Sequence, residues 1–426
     1  MRRWTRNVAR VGVTAAVVLG TVSACSSSGG TPTLNWYINP DSGGQAALAK
    51  ECSASSGGAY KISTQILPTD ASQQRQQLVT RLAAKDSSID LMSLDPVFVA
   101  EFAEAGFLAD VPAQYKDDFT RDIVKPAVTA STWKGKLVAA PFWANTQLLW
   151  YRKSVAKAAG LDMTKPVTWQ QIIDAAVKTK KTIGVQADLY EGYTVWINAL
   201  VAGAGGKIVE NPGAIAKNIK LGLNTSAGKE AANVIGQVAR KGIGGPSLST
   251  SEEAQSLAVF ENPGTSGFMT IWPYVWAAMK ADGVKFRDTD VGWTYYPETV
   301  SGKQSKPPFG GIEIGAGAYS SHKALVFQAI QCIRNEKHQL EYFNSSGNPA
   351  ANTQVYRAAS IRKAYPMADT IRNSLERAAP RPQTQYYGDL STALQESFSP
   401  PNSVNSSTPK KAQQFILEVL KGDKLL

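Results

Sequence analysis

Beyond residue 33 the chain alternates between short apolar runs and amphipathic ones. "LNWYIN" (Leu34 to Asn39) reads as an apolar-aromatic strand and "PDSGGQ" as a turn with two glycines, after which Ala46 to Cys52 suits a helix. "YKISTQILP" alternates as a strand does, whereas "ASQQRQQLVTRLAAKD" sets Leu78 and Leu82 at i and i+4 on one helical face. "SIDLMSLD" predicts a further strand, and "PVFVAEFAEAG" a helix with Pro96 in its first turn and Gly106 just past its end. A second series follows Tyr151: "TWQQIIDAAVKTKKT" as a helix capped by Thr168, "IGVQAD" as a strand, and "GYTVWINALVAGAGG" as a buried helix ending in glycines. In "TSEEAQSLAVF", Ser249 stands three residues before Glu252, a capping-box spacing. "SGFMTIWPYVWAAM" reads as strand, turn and helix, "GGIEIGAGAYS" as a glycine-rich strand, and the remainder as largely helical. Strand–helix alternation predicts a mainly parallel α/β sheet, where ligands gather outside the carboxyl ends of strands. Asp95 and the Asn39–Gln45 turn occupy such positions.

One stretch resists this scheme. "PFWANTQLLWY" (Pro141 to Tyr151) puts Asn145, Thr146 and Gln147 inside a run of aromatics. A buried strand would be apolar throughout, and a surface loop would not carry so much aromatic area.

The N-terminus points to export. Arg2, Arg3, Arg6 and Arg10 precede the apolar run Val11 to Val22 and then Ser23-Ala24-Cys25. The run has about 12 residues, where spanning a bilayer takes roughly 20, and its flanks are those of a secretory signal. "VSAC" resembles the lipobox of bacterial lipoproteins, which implies processing to a lipidated Cys25; an ordinary signal cleaved nearby is the alternative. "SSSGGTPT" (Ser26 to Thr33) has the composition of a flexible tether.

Composition changes the picture less than the +11 net charge suggests. Four of the basic residues and no acid lie in the first 25 positions, so the remaining body carries +7. Its basic residues are scattered, without the clustered footprint of a nucleic-acid binder. Once Cys25 is assigned to lipid, Cys52 and Cys332 remain, and an exported chain favours their pairing over two buried free thiols. His322 and His338 have no metal-ligand spacing and read as solvated helix residues, so neither a metal nor a cofactor is expected. The chain carries no G-x-S-x-G elbow, H-E-x-x-H or Walker loop, and "GAGGK" (Gly203 to Lys207) lacks the Walker spacing. A glycosidase needs two carboxylates flanking the scissile bond, which Asp95, Glu191 and Glu313 supply only by count.

"VSAC", "IDLMSLDPVFVAEFAEAGFLADV", "APFWANTQLLWYRKS", "FMTIWPYVW" and "PFGGIEIGAGA" together resemble the extracellular solute-binding proteins of ABC sugar importers, the maltose-binding-like group. The likeness runs from about Leu34 to the C-terminus. Through "AEFAEAGF", "NTQLLWYR", "GAGG", "WPYVWAAM", Cys52 with Cys332 and "RPQTQYYGDLS", it is strongest to the trehalose-binding lipoproteins of actinobacteria. The resemblance implies an α/β, two-lobed periplasmic-binding-protein fold of type II, with lobes joined by crossing hinge segments and ligand held in the interlobe cleft. By chain order, residues 31–142 and 308–345 form one lobe, and 146–305 and 350–426 the other, after a signal at 1–25 and a tether at 26–33. It further implies a monomeric receptor that is not an enzyme. Anchored through Cys25 on the outer face of the cytoplasmic membrane, such a receptor captures a disaccharide and serves a permease.

A sugar offers hydroxyls at its rim and C–H on its face, so its site needs planar polar groups around an aromatic surface. The resemblance places Asn39, Asp41, Gln45, Asp95, Asn145, Glu191, Gly310, Gly311, Glu313 and Arg381 at the cleft. Plain turn chemistry accounts equally well for Asn39, Asp41 and Gln45, and helix capping for Asp95. Trp272 and Tyr274 of "WPY" are the expected stacking surface; Trp196 and Trp276 are expected in the core. Asn145 is expected to touch sugar at the crossing, with Thr146 and Gln147 satisfying hinge backbone. Gln385 stands where the resembled group usually has proline, and "PDSGGQ" and "DLYEG" also differ from it. These departures leave open which disaccharide, trehalose or a related α-glucoside, without touching the class; another oligosaccharide or a glycerophosphodiester is the alternative ligand.

Overall fold

The computed structural model describes residues 30–426. The signal segment, Cys25 and residues 26–29 of the tether lie outside the described residues. The strands, in chain order, are β1 (Thr33–Ile38), β2 (Lys61–Ile66), β3 (Leu91–Leu94), β4 (Thr132–Trp133), β5 (Lys136–Leu137), β6 (Ala140–Thr146), β7 (Leu148–Arg152), β8 (Thr182–Gly184), β9 (Ser266–Ile271), β10 (Val291–Thr294) and β11 (Phe309–Ala316). Two sheets organise the molecule, ordered β2-β1-β3-β11-β6 and β10-β7-β9-β8, and each is covered by helices to make one lobe of a two-lobed α/β fold.

The sheets are mixed, which corrects the expectation of a mainly parallel one. β1 runs parallel to β2 and β3, but β11 is antiparallel to both β3 and β6. In the second sheet only β8 and β9 are parallel. A parallel pair needs a crossover connection, commonly a helix. β6, β7 and β11 lie instead where the chain leaves one sheet or returns to it, so their direction reverses.

The anomalous stretch is that departure. All seven residues of β6 are buried, and Thr146, Asn145 and Ala144 pair with Phe309, Gly310 and Gly311 of β11. One residue later β7 begins, pairing with β9 and β10 of the other sheet. Phe142 and Trp143 pack in a core with Trp36, while Leu148 and Trp150 pack in another with Met269 and Trp276. Gln147 therefore sits between two cores, itself buried. Trp196 and Trp276 are core residues as expected.

Local chemistry sets the helix boundaries. Thr168 and Gln171 form a reciprocal capping box, and Trp169, Ile172, Ile173 and Ala176 supply the buried stripe of helix Trp169–Thr179. The Ser249–Glu252 box is corrected: helix Glu253–Glu261 starts later, with Glu252 as N-cap and Gln255 as its partner. "IGVQAD" yields only the three-residue β8. Cys52 and Cys332 are joined, tying helix Gly44–Ser55 to helix Lys323–Ile333. His338 is not solvated: at 5% exposure it lies beside that bridge, because Asn335 caps its helix and turns the ring inward toward the Cys332 carbonyl.

Candidate functional site

Arg381 is the centre of the polar cluster. Phe309 N–H at the start of β11 donates to the Ala379 carbonyl at 3.2 Å, and Ala379 N–H to Pro307 at 2.8 Å, so the segment carrying Arg381 is bound to the crossing. Arg381 is 3% exposed. Its Nη2 donates to Asp95 Oδ1 at 2.7 Å, and its Nη1 to Glu191 Oε1. Asp95 follows β3 of the first sheet, whereas Glu191 opens helix Glu191–Gly203, whose Trp196, Ile197 and Leu200 lie in a core with Leu149 of β7 and Phe268 of β9. One guanidinium thus ties two carboxylates from opposite lobes.

Glu191 is also held from behind. Tyr387 O–H donates to its Oε1 and Ser391 Oγ to its Oε2 at 2.8 Å; Ser391 in turn contacts Thr194 at 2.7 Å and accepts from Gln395 at 3.0 Å. Tyr387 itself packs edge-on to Phe98, with centroids 5.9 Å apart, in a first-lobe core. The same helix places Leu390, Leu394 and Phe398 in a second-lobe core. Burial pushes the Glu191 carboxyl above its usual range, and the Arg381 charge pulls back against it. Burial opposes the charge on Arg381, but Asp95, Tyr387 and Glu191 outweigh it and raise the guanidinium well above its ordinary value.

An aromatic wall stands beside this centre. Trp272 Nε1 donates to Glu253 Oε1 at 2.7 Å, and the Tyr274 hydroxyl lies in hydrogen-bonding range of the same carboxylate. Burial pushes Glu253 upward against those two hydrogen bonds. The Trp272 ring edge lies over Gly310, where a Cβ would stand 3.1 Å from it, and Gly310 is the partner of Asn145. The Asn145 amide oxygen accepts from Thr146 N–H at 3.0 Å. Gly311 has φ +125° and no room for a side chain, since a Cβ would lie 2.2 Å from the Trp143 carbonyl. The two glycines therefore admit the Trp272 ring and the neighbouring strand.

Among the first-lobe candidates, Asp95 alone pairs with Arg381, and the others make local contacts. Asp41 accepts from the backbone of Gly43 and Gln45 at 2.9 and 2.8 Å, which is turn chemistry. Gln45 is fully buried, donating to the Asn39 carbonyl at 3.0 Å and accepting from Ser93 at 3.1 Å. Asp95 is both a cap, accepting from Val97 N–H at 3.2 Å, and a partner of Arg381. Glu313 lies on β11 within the first sheet, opposite Leu94. A β-bulge between Ile312 and Glu313 shifts the register, and its carboxyl is wholly buried, accepting from Ser131. Burial pushes it up to about 8. Sequence reading missed Glu253 and Tyr387; two acids opening a helix look like ordinary N-terminal charge, so Glu253 carried no distinguishing signal.

Pro96, Val97, Phe309, Pro380, Arg381 and Gln383 line a recess of ≈ 160 Å³, counting all space outside the atoms.

Two lobes, mixed sheets and a polar cluster where strands cross between them define the periplasmic-binding-protein class of fold. Residues 47–340 match the family of bacterial extracellular solute-binding proteins, and the chain belongs to that family. A probable ABC transporter-binding protein of Deinococcus radiodurans is 25% identical over 347 residues, 78% of each chain. Maltose-bound MalE3 of T. maritima superposes with a TM-score of 0.78 at 22% identity, covering 92% of this chain and all of that one. The GacH receptor of Streptomyces glaucescens, solved unliganded and with acarbose, gives 0.76 at 19% identity, covering 93% and 100%.

Proposed function

We propose that this chain is the capture subunit of an ABC importer, taking a disaccharide, trehalose or a related α-glucoside, and delivering it to a membrane permease. The observation that carries this reading is the pairing of Asp95–Arg381–Glu191, drawn from both lobes, with the Trp272–Tyr274 wall at the crossing. The charged groups suit vicinal hydroxyls and the indole suits a sugar face. Solved relatives that hold maltose and acarbose support the ligand class. Asn145 adds an amide beside the wall, and Asn39, Asp41 and Gln45 a polar rim on the first lobe. Of the glycines and acids expected at the cleft, Gly310, Gly311 and Glu313 act in this reading by shaping and supporting it.

Lobes of 31–142 with 308–345, and 146–305 with 350–426, would close on the ligand as it shifts an open–closed equilibrium. Cys25 would carry the lipid that holds the receptor at the outer face of the membrane. Catalysis is not part of the reading, because Asp95 and Glu191 share one guanidinium and neither is free to act as acid or base. Incubating purified protein with trehalose while assaying released glucose tests this. The sugar should be recovered intact, and turnover would replace the receptor with a hydrolase. A glycerophosphodiester is the second reading; an sn-glycerol-3-phosphate-binding periplasmic protein of Escherichia coli, 33% identical over 98 residues (23% of this chain and 19% of that one), is named for a phosphate monoester of the same glycerol.

A further inference from the structure

A second cluster of chemistry-bearing side chains lies outside the cleft site, beside the Cys52–Cys332 bridge. His338 Nδ1 is 2.6 Å from the Cys332 carbonyl oxygen, which can only accept, so Nδ1 carries the hydrogen. The 3.3 Å contact of the same nitrogen with the Asn335 amide is too long to override this. In the neutral ring the lone pair therefore sits on Nε2, and Nε2 faces Glu51 Oε2 at 3.5 Å. A lone pair opposite a carboxylate is relieved by a positive centre between them, either a proton on Nε2 or a metal ion. Glu341, one turn further along the helix of His338, brings in a third donor, and the three ligand atoms lie within 4.8 Å of one another.

The surroundings already show the demand for positive charge. Lys337 Nζ stands 3.0 Å from Glu51 Oε2 and 3.0 Å from Glu341 Oε1. Its side chain is 65% exposed, so it can swing away and leave the two carboxylates to a compact dication. His338 is buried, whereas Glu51 and Glu341 are partly open to solvent, so one rigid ligand and two adjustable ones face an accessible opening. The Nδ1–H bond to a backbone carbonyl is the second contact that metal-binding imidazoles usually make.

The geometry points to a divalent transition-metal site formed by His338 Nε2 and one oxygen each of Glu51 and Glu341. One imidazole and two carboxylates, with water completing the shell, suit zinc, and the nitrogen donor disfavours calcium and magnesium. A bound ion would join helix Gly44–Ser55 to helix Glu336–Ser346, next to the disulfide that already ties the first of these to helix Lys323–Ile333. The pattern was invisible in the sequence because Glu51 and His338 stand 287 positions apart in the chain numbering.

The test is calorimetric titration of ZnCl2 into metal-stripped full-length protein in detergent, paralleled by CoCl2 followed by its visible absorption. One ion per chain is expected, with affinity lowered roughly tenfold or more by His338→Gln and by Glu51→Gln. Lys337→Ala should tighten binding, because it removes the competing ammonium. Glu51 is at the surface, so Glu51→Gln keeps the test valid if His338→Gln misfolds. Absence of stoichiometric binding, or affinity unchanged in Glu51→Gln, would overturn the proposal.

Discussion

Replacing Arg381 by Met tests the charged centre most searchingly. In the wild type one buried guanidinium stands between Glu191 and Asp95. Removing one partner of a buried ion pair costs about 3–5 kcal/mol, because the remaining charge is left desolvated. The loss should depend on pH. Without Arg381, burial and the Asp95 charge both push Glu191 upward, so its folded-state pKa exceeds both the wild-type value and that of the unfolded chain. A folded pKa above the unfolded one gives stability that is present at low pH and lost as pH rises through the folded value, at about 1.4 kcal/mol per unit. The variant's deficit should therefore be larger in melts at about pH 8 than in melts at about pH 5.5, because lower pH favours a proton on Glu191. Urea melts followed by tryptophan fluorescence at the two pH values, for Arg381→Met and for Arg381→Met with Glu191→Gln, measure this. The double variant should regain most of the loss at high pH. A deficit below about 1 kcal/mol, or one equal at both pH values and untouched by Glu191→Gln, would refute the reasoning.

Other consequences follow from the same geometry. Trp272→Ala should weaken sugar binding by about 2 kcal/mol, roughly thirtyfold, with little change in circular dichroism, as for a central aromatic contact; unaltered affinity in calorimetry would return Trp272 to the core. Glu313→Gln should flatten stability against pH: the wild-type carboxyl, held at about 8 by burial, loses stability between its unfolded range near 4.5 and about 8, whereas the amide has nothing to titrate. Parallel pH profiles of the two proteins would contradict that burial. Replacing Cys52 and Cys332 together by Ser opens a bridge spanning 280 positions and should lower unfolding stability by about 2–5 kcal/mol. An unchanged midpoint in non-reducing buffer would show that the bridge adds nothing.

The crossing was the most legible feature, since an amide–hydroxyl–amide triplet suits an aromatic strand where the chain passes between two cores. The Thr168 cap and the stripe of Ile172 and Ile173 were equally plain, because local spacing alone determines them. Strand direction was not, as alternation with helices implies parallel pairing and says nothing about a strand that returns from another lobe. Arg381 lies 190 and 286 positions from Glu191 and Asp95, so no local pattern could join them; resemblance alone brought them together. The burial of Glu313 was not legible, because Ser131, which donates to its carboxyl, lies 182 positions away in the chain. His338 was misread because the helix of Cys52, which packs beside it, is 286 positions away in the chain.

Capture of a disaccharide in the cleft is the central claim. The measurement that tests it most directly is a thermal-shift panel of trehalose, maltose, other oligosaccharides, polyols, glycerophosphodiesters and amino acids against the purified protein. A ligand at 100 times its dissociation constant should stabilise the folded state by about 2.7 kcal/mol. Trehalose or a related α-glucoside should raise the midpoint in the wild type and fail to do so in Trp272→Ala. A rise with another solute class, and none with any disaccharide, would contradict the claim.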